Sequence, residues 1–169
     1  MIKHTSSVME SVLKKLNEGK VDEVRAEAKK LLQKNRDDPE GWFLMGMVSH
    51  EKANEGYALE CFERALYLKR TEKYHKAKGI SHMSLFEFSD AAKEIKHALE
   101  FKKDAESHFM LSMALLFLND EDATENLAEA YRLKPKKTKE LLRNFYNVFF
   151  KNDSSIPQKE KDDLLKIIG

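Results

Sequence analysis

Few residue spacings in this chain could do chemistry. Gly41 and Gly46 stand at the interval of a phosphate-cradling loop, a motif in which backbone amides followed by Lys and Ser or Thr hold phosphate and its metal. Met47 and Val48 fill those last two places and Trp42 to Met45 are apolar, so the motif is rejected. Six histidines could supply metal ligands, but none forms the His-Glu-x-x-His pattern that sets two imidazoles on one helix face. No metal and no cofactor is expected. Cys61 stands beside Phe62 without His or Asp partners nearby, the setting of a buried thiol and not of a nucleophile. Lys134, Lys136, Lys137 and Lys139 gather positive charge around Pro135, which suits either phosphate contacts or a solvated helix entry. With no nucleophile, acid/base pair or ligand set, an enzyme is the least supported class.

Composition says what must position these residues. Ala, Glu, Lys, Leu and Arg supply 83 of the 169 residues, against 6 Gly and 3 Pro. That balance favours helices and starves the chain of the turns an all-β fold needs. Thirty basic and 29 acidic residues nearly cancel, leaving a formal charge of +1, so both signs are interspersed over a solvated surface. A lone cysteine cannot close an internal disulfide. The start of the chain lacks the apolar stretch of a signal peptide, and the longest nearly apolar run, Phe109 to Leu118, is about half a membrane span. A cytoplasmic protein without membrane attachment is the expectation.

Internal periodicity organises the chain. Gly46, Gly79 and Ser112 recur at 33-residue steps, and two alanine series, Ala58, Ala91, Ala123 and Ala65, Ala98, Ala130, recur at steps of 33 and then 32. Within each pair the alanines lie seven apart, two turns along one helix face. Antiparallel helices approach closely only where side chains are nearly absent, so the small residues mark crossings and Trp42, Phe62, Ile95 and Leu127 fill the space beside them. Asp38-Pro39 opens a helix, Gly19-Lys20 divides the first hairpin, Ser89-Asp90 and Asn119-Asp120 are read as turns inside hairpins, and Pro135 closes the series. His75 and His108 fall on equivalent positions, which points to packing.

The segment Trp42-x-x-Met45-Gly46 followed by Ala58, Phe62 and Ala65, with Leu133-Lys134-Pro135 as a closing motif, resembles the tetratricopeptide repeat (TPR) family. The resemblance covers residues 39 to 135, with His75 in the Trp place of the second repeat and Ser112 in the Gly place of the third. It implies an all-α, right-handed superhelical solenoid of antiparallel helix pairs. Residues 1–169 are then one repeat domain: a degenerate hairpin over 1–38, repeats over 39–71, 72–103 and 104–135, and a degenerate capping hairpin over 136–169. Ten helices in five hairpins are expected, the last opened by a capping box at Ser155-Ile156-Pro157-Gln158.

In this family the first helix of each hairpin lines a concave groove. The i, i+4, i+7 stripes on the five first helices are Met9, Leu13, Leu16; Phe43, Met47, His50; Lys76, Ile80, Met83; Phe109, Met113, Leu116; and Leu142, Tyr146, Phe149. Thirteen of these fifteen are apolar or aromatic, although packing between neighbouring repeats must claim part of the stripe. The candidate groove is Phe43, Met47, His50, Lys73, Lys76, Ile80, Met83, Phe109, Met113 and Leu116, with Phe43, Met47, Met83 and Phe109 the more accessible. Lys73 and Lys76, with His50 and His82 near, make a basic spot able to take an acidic side chain or terminal carboxylate. The chaperone-tail clamp of some family members is incomplete here, because Met47 and Ile80 stand where Asn would be needed.

The chain therefore reads as a non-enzymatic interaction module or scaffold that holds an apolar or amphipathic segment of another protein. Two alternatives stand beside it. Leu164, Leu165, Ile167 and Ile168 make the last helix amphipathic, so it caps the final repeat or enters the groove of its own or a second copy, as an autoinhibited form or a homo-oligomer. The Lys134 to Lys139 cluster would serve nucleic acid, the lesser partner.

Overall fold

The computed structural model of the chain describes residues 11–155 and 157–168, apart from the side chains of Glu160, Asp163, Leu164, Ile167 and Ile168. Met9 of the first stripe, Ile156 of the last capping box and the side chains of Leu164, Ile167 and Ile168 thus lie outside the described residues. Among the described residues there is no strand, and no helix is long and apolar enough to cross a membrane.

The chain divides into two compact units, Met1–Phe101 and Lys102–Gly169. The first contains α1 (residues 11–17), α2 (Val21–Lys34), α3 (Pro39–Glu51), α4 (Glu55–Leu68), α5 (Glu72–Ser84) and α6 (Phe88–Phe101). The second contains α7 (Ala105–Phe117), α8 (Asp122–Leu133), α9 (Pro135–Phe145), a π-helical turn (Tyr146–Phe150) and α10 (Gln158–Ile168). Nine α-helices are thus delimited within the described residues after the helical stretch 11–17, close to the ten expected.

The repeat is written into both ends of its first helix. Asp38, Thr71 and Asp104, at successive 33-residue steps, cap α3, α5 and α7 by accepting from the backbone N–H of Gly41, Tyr74 and Ser107 at 2.9, 3.3 and 3.0 Å. The hairpin turns repeat as regularly. Ala53, Phe86 and Asn119 adopt left-handed φ of 55°, 60° and 53°. In each turn the following N–H reaches back five residues, from Asn54 to the Ser49 carbonyl, Glu87 to His82 and Asp120 to Leu115, at 2.9 to 3.0 Å. The second turn is therefore Leu85 to Glu87, not Ser89-Asp90. Those two polar residues lie in the first turn of α6, where they suit the positive end of the helix dipole.

The crossings fall where the small residues predict. A Cβ placed on Gly46 would lie 2.4 Å from Phe62 Cε1, and one on Gly79 would lie 2.8 Å from Ile95 Cγ1. In the second unit the Ser112 hydroxyl donates to the Ala123 carbonyl at 2.6 Å, so the small residue also bonds the partner helix. Ala58, Ala65, Ala91, Ala98 and Ala130 are fully buried. Val12 and Leu16 join the first unit's core with Val24, Ala28, Phe43, Leu44 and Phe62, so the divergent first hairpin is a packed member of that unit.

Candidate functional site

Seven candidate groove residues fall in the first unit and three in the second. Phe43 is wholly buried, with its ring centroid 5.9 Å from Phe62 and 4.9 Å from Tyr74. Phe109 and Met113 are buried too. Phe43 and Phe109 are thus not the accessible members the stripe suggested. For Phe43 the reason is packing on two sides: Phe62 on its own hairpin partner α4 meets the ring, and Tyr74 on α5, the first helix of the next repeat, covers it. Met47, His50, Lys73, Lys76 and Met83 are half-buried, while Ile80 and Leu116 are exposed.

What remains in the first unit is a compact surface on α3 and α5, which touch one another. The Ser81 hydroxyl lies 3.4 Å from His50 Nδ1 across that seam. α3 contributes Met47 and His50 to the groove candidates that keep some exposure, and α5 contributes Ile80 and Met83. The basic spot is neutralised. Lys73 is paired with Glu40, which also accepts from the Tyr74 hydroxyl at 3.0 Å, and Lys76 is 2.9 Å from Glu72. His50 lies 2.9 Å from Glu55, and His82 lies 2.6 Å from Glu87. Burial raises the Tyr74 phenol well above its ordinary range, reinforced by the Glu40 carboxylate, so it stays a neutral donor. Lys73 also sits 5.0 Å over the Phe43 ring, a cation–π contact that closes the core edge. Glu40 was missed because it lies 33 residues from Lys73. The repeat period itself was the available signal.

Other candidate chemistry proves structural. Gly41 and Gly46 lie inside α3, facing Leu32 and Phe62, so no phosphate loop exists there. Cys61 is buried, and desolvation pushes its thiol up to about 11. His75 Nδ1 lies 2.7 Å from Glu94 on α6, and His108 Nδ1 lies 3.0 Å from Asn126 on α8. Each Nε2 is buried without a hydrogen-bond partner. Glu94 also pairs with Lys78, which reaches Glu63 on α4. Burial favours the protonated form of Glu94, but hydrogen bonds from His75 and Lys78 outweigh it and hold the carboxyl below its ordinary value. Among the described residues, the ligand atoms of His82, Glu87 and Asp90 lie within 4.8 Å of one another. Both carboxylate residues are exposed, and the group bridges the α5 to α6 turn.

Repeating caps, left-handed turns and small-residue crossings describe one supersecondary unit used several times, and solved structures share it. MamA from Desulfovibrio magneticus RS-1, residue 41 to its end, superposes with a TM-score of 0.70 at 19% identity, over 95% of this chain and 90% of that one. A thermophilic TPR protein of Thermus thermophilus gives 0.65 at 20%, over 78% and 75%. YrrB, a TPR protein with an unusual peptide-binding site, gives 0.65 at 18%, over 93% and 82%. The fold is a TPR-like helical repeat. No protein-family model and no curated protein matches the sequence. His75 and His108 stand where Trp42 supplies an aromatic residue in the first repeat, and the helix after Pro135 runs into a π turn.

Proposed function

We propose that this TPR-like chain is a non-enzymatic protein-interaction module whose first unit holds an apolar segment of a partner against α3 and α5. The carrying observation is that Met47 and Met83 stay half-buried and Ile80 stays 36% exposed on adjoining helices, while the cations nearer the start of α5 are already matched by carboxylates. Methionine and isoleucine present adaptable apolar area, and internal neutralisation removes electrostatic selection of an acidic peptide. The protein likeness of YrrB supports the peptide reading by analogy of fold alone. Replacing Met47, Ile80 and Met83 together by Asp should abolish capture of partner proteins identified by pull-down and mass spectrometry, while helicity is kept. Retained capture would sink the reading.

Self-association remains the alternative use of such a surface. It predicts a molecular mass that rises with protein concentration and falls back in the triple variant. A mass that stays monomeric removes it.

A further inference from the structure

We propose that the first unit carries a second binding site, a cleft between α2 and the start of α3 that takes a purine nucleoside monophosphate. The cleft has a volume of about 590 Å³ and is lined by Lys29, Leu32, Gln33, Arg36 and Trp42. That volume falls within the roughly 300–1,000 Å³ of small-molecule sites. None of the five residues belongs to the α3 and α5 surface, so the inference stands apart from the peptide reading.

The floor of the cleft is fixed by packing. α2 and α3 approach so closely that a Cβ on Gly41 would lie 2.9 Å from Leu32 Cγ, which holds Leu32 against the first turn of α3. The Trp42 indole N–H donates to the Arg36 carbonyl at 2.8 Å, so the ring is pinned to the linker between the two helices. With that hydrogen engaged, the indole offers a ligand only apolar and π surface. Such a floor suits a flat ring, and a nucleobase is one that stacks on aromatic side chains.

The polar groups say what the ring must carry. Lys29, Gln33 and Arg36 are exposed, and among the described residues no carboxylate pairs with either cation and no hydrogen bond engages the Gln33 amide. Asp37, the acid next to Arg36, is held by Arg64 at 2.6 Å. A neighbouring cleft of about 540 Å³ shares Arg36 and Trp42 but adds Asp37 and Glu60, whose charges disfavour an anion. The α2 cleft contains no acid. Two unmatched cations complement a phosphate monoester, which carries about −1.5 to −2 charges near neutrality, better than a single carboxylate. A side-chain amide matches adenine, whose N6 and N7 pair bidentately with Gln. Ring, base edge and phosphate each meet a group that the fold leaves without a partner.

The test uses the full chain, whose only tryptophan is Trp42, so its emission reports from the site. Adenosine monophosphate should quench that emission with a Kd below about 1 mM, and titration calorimetry should return the same value. Adenosine and inorganic phosphate should each bind at least about tenfold more weakly. The pair Lys29→Ala and Arg36→Ala, both at exposed side chains, should weaken binding at least about tenfold with the circular dichroism spectrum unchanged. Gln33→Ala should remove the preference for adenosine monophosphate over uridine monophosphate. Met47→Asp with Ile80→Asp should leave nucleotide binding unchanged, separating this cleft from the α3 and α5 surface. No binding of adenosine monophosphate, equal affinity for adenosine, or tighter binding of a phosphotyrosine peptide would overturn the proposal. So would binding that survives the loss of both cations.

Discussion

Gly46 on α3 and Phe62 on α4 occupy the same space in turn: the ring edge of Phe62 lies where a Cβ on Gly46 would be, at 2.4 Å. Gly46→Ala should destabilise the protein by about 1–3 kcal/mol despite alanine's better helix propensity. Gly79→Ala should cost less, because the obstructing atom is the Ile95 Cγ1 at 2.8 Å. Gly56→Ala, with nothing within 4 Å, should be neutral or stabilise by up to about 1 kcal/mol. Urea unfolding of the three variants checks the order.

Phe86 holds a φ of 60° while remaining 70% exposed. A left-handed conformation costs a bulky residue about 1–2 kcal/mol that glycine escapes. Phe86→Gly should therefore raise the thermal midpoint, and a lower midpoint would show that the Phe86 to Phe88 ring contact at 6.1 Å matters more than the turn.

Asp104 caps α7 through Ser107 N–H and also accepts from the buried Ser107 hydroxyl at 2.9 Å. Asp104→Ala should cost about 1–2 kcal/mol, more than Thr71→Ala, whose cap is a single bond at 3.3 Å. Equal losses in chemical denaturation would mean that the Ser107 hydroxyl finds another acceptor.

The Glu94 carboxyl is held below its ordinary value by His75 and Lys78 against the opposing pull of burial. Its folded-state value being depressed, its contribution is fully present above the unfolded value of about 4.3 and is lost as pH falls through the folded value. Thermal midpoints measured from pH 7 to pH 3 should fall over the acid end of that range. Glu94→Gln should lower the midpoint at pH 7 and flatten the acid slope. An unchanged slope would place the acid sensitivity elsewhere.

Cys61 is buried and its thiol is pushed up to about 11, so little thiolate forms at pH 8. A thiol reagent should modify the folded chain at least about a hundredfold more slowly than the chain in urea. Comparable rates would show that α4 opens readily.

The local rules were legible in the order of residues. Small residues at a fixed period mark helix crossings because steric room is a property of the residue itself, and Gly46, Gly79 and Ser112 each meet the opposite helix. Asp38 before Pro39 was read as a helix opening and caps α3, whereas Thr71 and Asp104, which cap α5 and α7 at the same period, were not read from the sequence. The middle turn was misplaced by a few residues, because Ser89 and Asp90 suit a helix start as well as a loop and nothing about Phe86 announces a left-handed turn.

Exposure could not be read in that way. A helical stripe says which residues share a face, and the distance to the next helix decides whether that face meets protein or water. Phe43 is covered by Tyr74 and Lys73 from the following repeat, while Ile80 remains exposed although Met113, at the equivalent place of the next repeat, is buried. Ion pairing across repeats, as between Lys73 and Glu40, and the gathering of Phe145, Phe149 and Phe150 by a π turn likewise depend on where neighbouring backbone lies. The sequence by itself determined a helical repeat with its period, caps and crossings, since those are set by side-chain size and local hydrogen bonding. Only the tertiary structure decided which apolar and charged groups are left for a partner, since that depends on packing between helices far apart in the chain.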